Sequence, residues 1–216
     1  MARFTVDPSA LTHSDGPEHA RSLFGADRST SPAAPPATIA LWHRTGEESV
    51  GRPTPNQKVE AFSRHKAGHH AINGRDGYEC TSLVEAALDF GHAKSFGDFK
   101  QPDSEDYIWG TPIGLDDLQP GDVLQFRDYT LTIRTDSDDG GWRTNNLGRD
   151  HHSAIVTKII QKGVAVEVLE QNVDPDHRKI FSNTIYLKNT VFHANRSSVT
   201  HVTAGGKIWA YRPQSK

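Results

Sequence analysis

One cysteine, one methionine, no long apolar run and almost no charge imbalance describe this 216-residue chain by what is scarce. A single thiol cannot close an intramolecular disulfide or supply the clustered thiolates of a structural zinc or iron–sulfur site, so disulfide scaffolds and Cys-rich metal domains are excluded. No stretch approaches the roughly 20 consecutive apolar residues of a membrane span, and the N-terminal M-A-R-F-T-V-D-P-S-A-L-T-H-S-D-G lacks the basic region and apolar core of a secretory signal. A cytoplasmic protein, or one exported by a specialised route, is the expectation, with no membrane partner. Lys and Arg number 24 against 27 Asp and Glu, and no basic cluster occurs. Nucleic-acid binding needs a concentrated cationic face, so it is not expected either. Nothing in the composition sets an oligomeric state.

What is present divides unevenly. Residues 1–50 are rich in Ser, Ala, Pro, Asp and His around S-T-S-P-A-A-P-P-A-T (Ser29 to Thr38), a composition that cannot bury enough apolar surface to offset its ordering entropy. They read as a flexible tail, and residues 51–216 as one domain. Asn56 is a candidate N-cap for a helix through about Ala67, ended by Gly68. After a Gly-containing loop from His69 to Gly77, Leu83, Val84, Ala87 and Leu88 follow one helix face, with Gly91 as a C′ residue. Cys80 therefore falls at a helix start. Next come β-type segments: Val123 to Phe126, Tyr129 to Ile133, Ser153 to Ile160, Val164 to Leu169, Thr184 to Leu187 and Ile208 to Tyr211. The turn-rich stretch from Thr135 to Gly148 reads as a long loop, with its acidic part 136–141 expected to flank a cleft. Helices first and strands afterwards predict an α+β fold with an antiparallel sheet.

A thiol at a helix N-terminus sits where partial positive charge favours the thiolate, and an adjacent imidazolium favours it further. Most lone cysteines are nonetheless small buried packing residues. Two further fragments tilt the balance. R-D-H-H-S-A-I-V places His151 and His152 immediately before an apolar β run, and V-E-V-L-E-Q-N-V places Glu170 and Asn172 at the end of the next. Strand alternation puts Glu170 and Asn172 on one face and Gln171 on the other. A polar group there can accept an imidazole N–H and orient the ring, as in a Cys-His-Asn or Cys-His-Glu arrangement.

With G-Y-E-C at 77–80, L-Q-P-G-D-V-L-Q-F at 118–126, H-S-A-I-V at 152–156 and E-Q-N at 170–172 in this order, residues 55–216 resemble the papain-like cysteine hydrolases of the CHAP and NlpC-type group. Y-I-W-G (107–110) and I-W-A-Y-R-P (208–213) carry a second, looser similarity, to the cysteine-peptidase-like domain of some fungal actin-patch proteins and bacterial relatives. The resemblance implies a papain-like fold with N-terminal helices packed on the sheet. It further implies Cys80 as nucleophile, His152 as general base, Glu170 as the group orienting the imidazole, and Asn172 sharing that role. His151, on the other strand face, ranks second. The Cys80 backbone N–H would be one oxyanion donor, with Tyr78 and Asn73 as candidates for the second. The implied substrates are peptide, protein or peptidoglycan stem-peptide amides, with no cofactor. An acyltransferase or transamidase using the same thiol, and a non-catalytic interaction module on the same fold, are the alternatives.

Other residues read more plainly. Asp122 in P-G-D is turn chemistry. His65 and His69 are separated by a helix-breaking Gly68 and lack an accompanying carboxylate, and D-S-D-D-G-G (136–141) lacks the spacing of a calcium loop, so no metal is expected. Trp209 suits a core, Trp109 a core or a substrate platform, and Trp142, among Gly, Arg and Asn, a surface contact.

Overall fold

The computed structural model describes residues 52–101, 106–173 and 178–216; the tail expected over 1–50 lies outside them. Two helices, α1 (Pro55–Ser63) and α2 (Cys80–Phe90), precede seven strands: β1 (Thr111–Ile113), β2 (Val123–Ser137), β3 (Trp142–Gln161), β4 (Ala165–Gln171), β5 (Ile180–Tyr186), β6 (Thr190–Asn195) and β7 (Ser198–Arg212). They form one antiparallel sheet in the order β1-β7-β2-β3-β4-β5, with β6 also on β7. The chain is therefore α+β with its helices N-terminal to an antiparallel sheet.

Helix α1 begins one residue before the expected cap. Thr54, not Asn56, is the N-cap, and its hydroxyl and the Gln57 side chain form a reciprocal capping box. Asn56 is instead buried, donating through Nδ2 to Asp122 Oδ1 at 2.7 Å and to the Pro120 carbonyl at 3.2 Å. The helix ends at Ser63, short of Ala67. In α2 the apolar spacing holds: Leu83, Val84, Ala87 and Leu88 are all fully buried. They pack with Val59 of α1 and with Val123, Ile155, Leu169, Ile180 and Tyr211 from one face of the sheet. The left-handed C-terminal residue is His92 (φ 51), while Gly91 has φ −70. Space at 91 is tight, since a Cβ there would sit 3.0 Å from Val59 Cγ2.

A second core lies on the opposite face, where Leu124, Phe126, Ala154, Val156 and Val168 meet Tyr129, Leu131, Val166, Ile185 and Val202. Both halves of β2 contribute to it, but in opposite phase. Up to Phe126 the even-numbered residues face this core, and from Tyr129 the odd-numbered ones do. The switch occurs at Asp128, which adopts φ 51, beside a register shift between β2 and β7. Such a bulge bends the strand and re-aims its side chains. Gly206 faces the bend at φ +84, and a Cβ there would lie 2.2 Å from the Asp128 carbonyl oxygen. Only glycine combines that backbone with that approach.

The segment expected to be a long loop, 135–148, is mostly paired strand. Residues 123–136 pair with 142–155, leaving a turn closed by Gly140 N–H to the Ser137 carbonyl, and β7 flanks β2 on its other side. Its Thr and Asn residues show no apolar alternation because this part of the sheet is solvated, Trp142 being 68% exposed. Ten residues of strand, about 30 Å, separate Trp142 from His152, so this turn does not flank the site around Cys80.

Candidate active site

Cys80 opens α2, and the loop before it is held from several directions. Backbone bonds tie Gly68 and His69 to Ile180 and Ala71 to Arg178 at the start of β5. The Gln171 amide then grips both sides of the loop: its Oε1 accepts from Ile72 N–H at 2.9 Å, and its Nε2 donates to the Ile72 carbonyl at 3.0 Å and the Glu79 carbonyl at 2.7 Å. Glu79 is the N-cap of α2, so one buried glutamine at the end of β4 sets where the helix begins. Ser82 Oγ donates to the Gly77 carbonyl at 2.8 Å, and Gly74 lies so close to Ser82 that a Cβ would be 2.5 Å from its oxygen.

His152 and Glu170 reach the same place from β3 and β4. Alternation puts His152 in phase with Ala154 and Val156, and Glu170 in phase with Val168, so both lie on the second-core face. The β3–β4 ladder begins at Ile155↔Leu169, leaving His152 beyond the last paired residue. Its Nε2 is 2.9 Å from Glu170 Oε2, with the N–H poorly directed at that oxygen, so the contact is chiefly electrostatic. The ring also interacts with the Cys80 thiol. Cys80 is 6% exposed, His152 4% and Glu170 fully buried. Burial by itself opposes the imidazolium. The Cys80 thiol and the Glu170 carboxylate beside the ring overcome it and lift His152 from an ordinary 6.5 to about 9. For Glu170, burial opposes ionisation, but His152 and the Arg149 guanidinium prevail and hold the carboxyl well below its usual range.

The structure thus brings Cys80, His152 and Glu170 together. Asn172 goes elsewhere. It lies past the end of β4 in a left-handed conformation (φ 63), so the alternation extrapolated from Glu170 no longer applies, and its Nδ2 donates to Glu79 Oε2 at 2.6 Å. His151 is on the other strand face, 4.0 Å from Asp106 and with its ring centroid 5.1 Å from that of Tyr107. Tyr78 is 45% exposed in the turn before α2.

Arg149 and Asn183 were missed by sequence reasoning. Arg149 donates through Nε to Glu170 Oε2 at 3.0 Å and through Nη2 to Oε1 at 2.6 Å, and Asn183 Nδ2 donates to Oε1 at 2.7 Å. Arg149 sits three residues before His152 and would alternate onto the opposite face of a regular strand. The bend at Asp128 in the paired strand, where Tyr129↔Arg149 is in register, brings it to the Tyr129 side. The clue in the sequence was a second cation in R-D-H-H, unreadable without the bend. Trp109 is wholly buried, its Nε1 sharing Gln125 Oε1 and Ser153 Oγ at 3.2 Å each.

Asp122 does more than make a turn. Fully buried, it accepts from Gln119 N–H at 2.7 Å, from Asn56, and from Arg212 Nη2 at 3.0 Å, fastening α1 and the end of β7 to the P-G-D bend. Among the described residues, no group of three or more His, Cys, Asp or Glu is placed to hold a metal ion, and no helix is long and apolar enough to cross a membrane. No family model matches this chain, and neither a curated protein nor a solved structure matches it.

Proposed function

We propose that this protein is a papain-like cysteine hydrolase of amide bonds, of the CHAP and NlpC type, acting on peptide, protein or peptidoglycan stem-peptide substrates. The observation that carries the reading is the His152 imidazole buried between the Cys80 thiol and the Glu170 carboxylate. With Nε2 turned to Glu170, Nδ1 is the nitrogen that exchanges a proton with Cys80 Sγ. The thiolate attacks the substrate carbonyl, and the backbone N–H of Cys80, unpaired within the helix at its first turn, faces the developing oxyanion. His152 then passes the proton to the leaving amine, giving a thioester and a free amine. Water, deprotonated by the same imidazole, cleaves the thioester and restores the thiol.

Alkylation by iodoacetamide at neutral pH tests the reading directly. Rapid modification of Cys80, slowed about 100-fold or more by His152→Ala, is expected. A Cys80 that reacts no faster than a free thiol and ignores His152→Ala sinks it. Capture of acyl product by an added amine, in preference to water, would make the same thiol a transamidase. One observation favours a non-catalytic interaction module instead: Cys80 is only 6% exposed, and two surface concavities are lined elsewhere, around Leu115 and Trp209 and around Asp117 and Lys162. An inert Cys80 is the outcome that module predicts.

A further inference from the structure

We propose that Arg149, assisted by Asn183, is a positioning residue for the Cys80–His152 pair, fixing the Glu170 carboxylate in plane and in charge so that one oxygen stays turned to the imidazole. This role rests on the hydrolase reading of that pair. An ionised carboxylate offers about four acceptor directions. At Glu170, Oε1 receives Arg149 Nη2 and Asn183 Nδ2, while Oε2 receives Arg149 Nε and the approach of His152 Nε2. Three directions are therefore filled by hydrogen bonds and the imidazole stands against the fourth, so a proton could be added only by displacing one of these groups. The guanidinium fork, contacting both oxygens, also sets the plane of the carboxylate, which a single donor would leave free to turn.

Charge gives the second argument. Thiol, imidazole, carboxylate and guanidinium sum to zero, and so do thiolate, imidazolium, carboxylate and guanidinium. Moving the proton from Cys80 to His152 then leaves the net charge of a buried site unchanged. Without Arg149, both states would carry an uncompensated negative charge away from water, which is unfavourable and is relieved by neutralising the acid. Arg149 is suited to the task, its side chain being only 10% exposed. Among the described residues, the ionisable groups that interact with Glu170 are Arg149 and His152 from β3 and Tyr129 from β2, while Cys80 from α2 interacts with His152. The Tyr129 hydroxyl donates to the Tyr186 carbonyl at 2.9 Å and is pushed above its ordinary range by burial, so it remains neutral. Asp106 and Arg127 pair with one another beside His151, on the other face.

The test is a pH titration of the His152 ring signals by NMR, in which protonation of Glu170 appears as an inflection in the acid range. Arg149→Met is expected to move that inflection up by at least about one pH unit relative to wild type. Arg149→Lys, restoring the charge without the fork, should return it part of the way. A folded Arg149→Met whose acid inflection stays where wild type has it overturns the proposal. Should Arg149→Met fail to fold, Asn183→Ala, which removes one donor of the four, should move the inflection in the same direction by less, and no movement there overturns it equally. The ring titration reads the hold on Glu170 whether or not substrate is turned over. Its failure is thus distinct from a Cys80 alkylation rate indifferent to His152→Ala, which overturns the hydrolase reading alone.

Discussion

Glu170 carries no exposed surface; Arg149 and Asn183 donate hydrogen bonds to its carboxylate, and the His152 imidazole lies 2.9 Å from one oxygen. Replacing it by Gln keeps the shape but turns an NH₂ group toward Arg149, Asn183 or His152, all of them donors. One buried cation loses its partner, a class of change that costs about 3–5 kcal/mol. Glu170→Gln is expected to lower the unfolding free energy by that order in a chemical denaturation curve and to slow alkylation of Cys80 in the protein that remains folded. Asn172 offers a contrast at the same scale. Its amide bonds to Glu79, which is exposed, so Asn172→Ala should change stability by about 1 kcal/mol or less and leave the His152 ring titration where it is.

At the scale of elements, the site depends on where α2 starts, and Gln171 decides that from the end of β4. Gln171→Ala would leave Ile72 N–H, the Ile72 carbonyl and the Glu79 carbonyl without their side-chain partner. With roughly 0.5–1.5 kcal/mol for each such bond, a loss of about 2–3 kcal/mol is expected, together with faster amide exchange in residues 71–80 than in the middle of α2. Equal protection of both segments in the variant would mean that the loop is held by its backbone bonds to β5 alone. The second element on which the site depends is the bend at Asp128, with Gly206 across from it. Gly206→Ala places a Cβ against the Asp128 carbonyl in a left-handed backbone, for an expected cost of about 1–3 kcal/mol or more. The same variant should move the acid inflection of the His152 ring, because the bend is what turns Arg149 toward Glu170.

For the whole molecule, the two buried ionisable groups set opposite limits on the pH range of stability. Glu170, held below its ordinary 4.5, contributes stability that is present above that value and lost as pH falls through its folded pKa. His152, raised from 6.5 to about 9, contributes stability that is complete below 6.5 and lost as pH rises through about 9. Thermal melts from pH 3 to pH 10 should therefore show the midpoint falling on both sides. His152→Gln should flatten the alkaline side while keeping the acid side, since Arg149 still holds Glu170. An unchanged alkaline decline in His152→Gln would assign that limb to another group.

Local pattern makes some of this legible in the sequence alone. The i, i+4 spacing of Leu83, Val84, Ala87 and Leu88 specifies the buried face of α2, and the apolar runs around Ala154–Val156 and Val166–Val168 specify strands, with His152 just before the first run and Glu170 just after the second. These are short-range properties, written in neighbours a few residues apart. The end of β2 beyond Ile133, the first half of β3, β6 and most of β7 were not legible in the same way, because solvated strands pair through backbone groups that any residue carries. The partners of Glu170 escaped for a related reason. Arg149 and Asn183 lie 21 and 13 residues from it, and Arg149 arrives only because Asp128 and Gly206 bend the sheet. The sequence by itself determined the α+β class, the thiol at a helix start, and the order of thiol, imidazole and carboxylate along the chain. Only the tertiary structure decided that Asn172 turns to Glu79 and that Arg149 neutralises Glu170, since both outcomes follow from where strands end and bend in space.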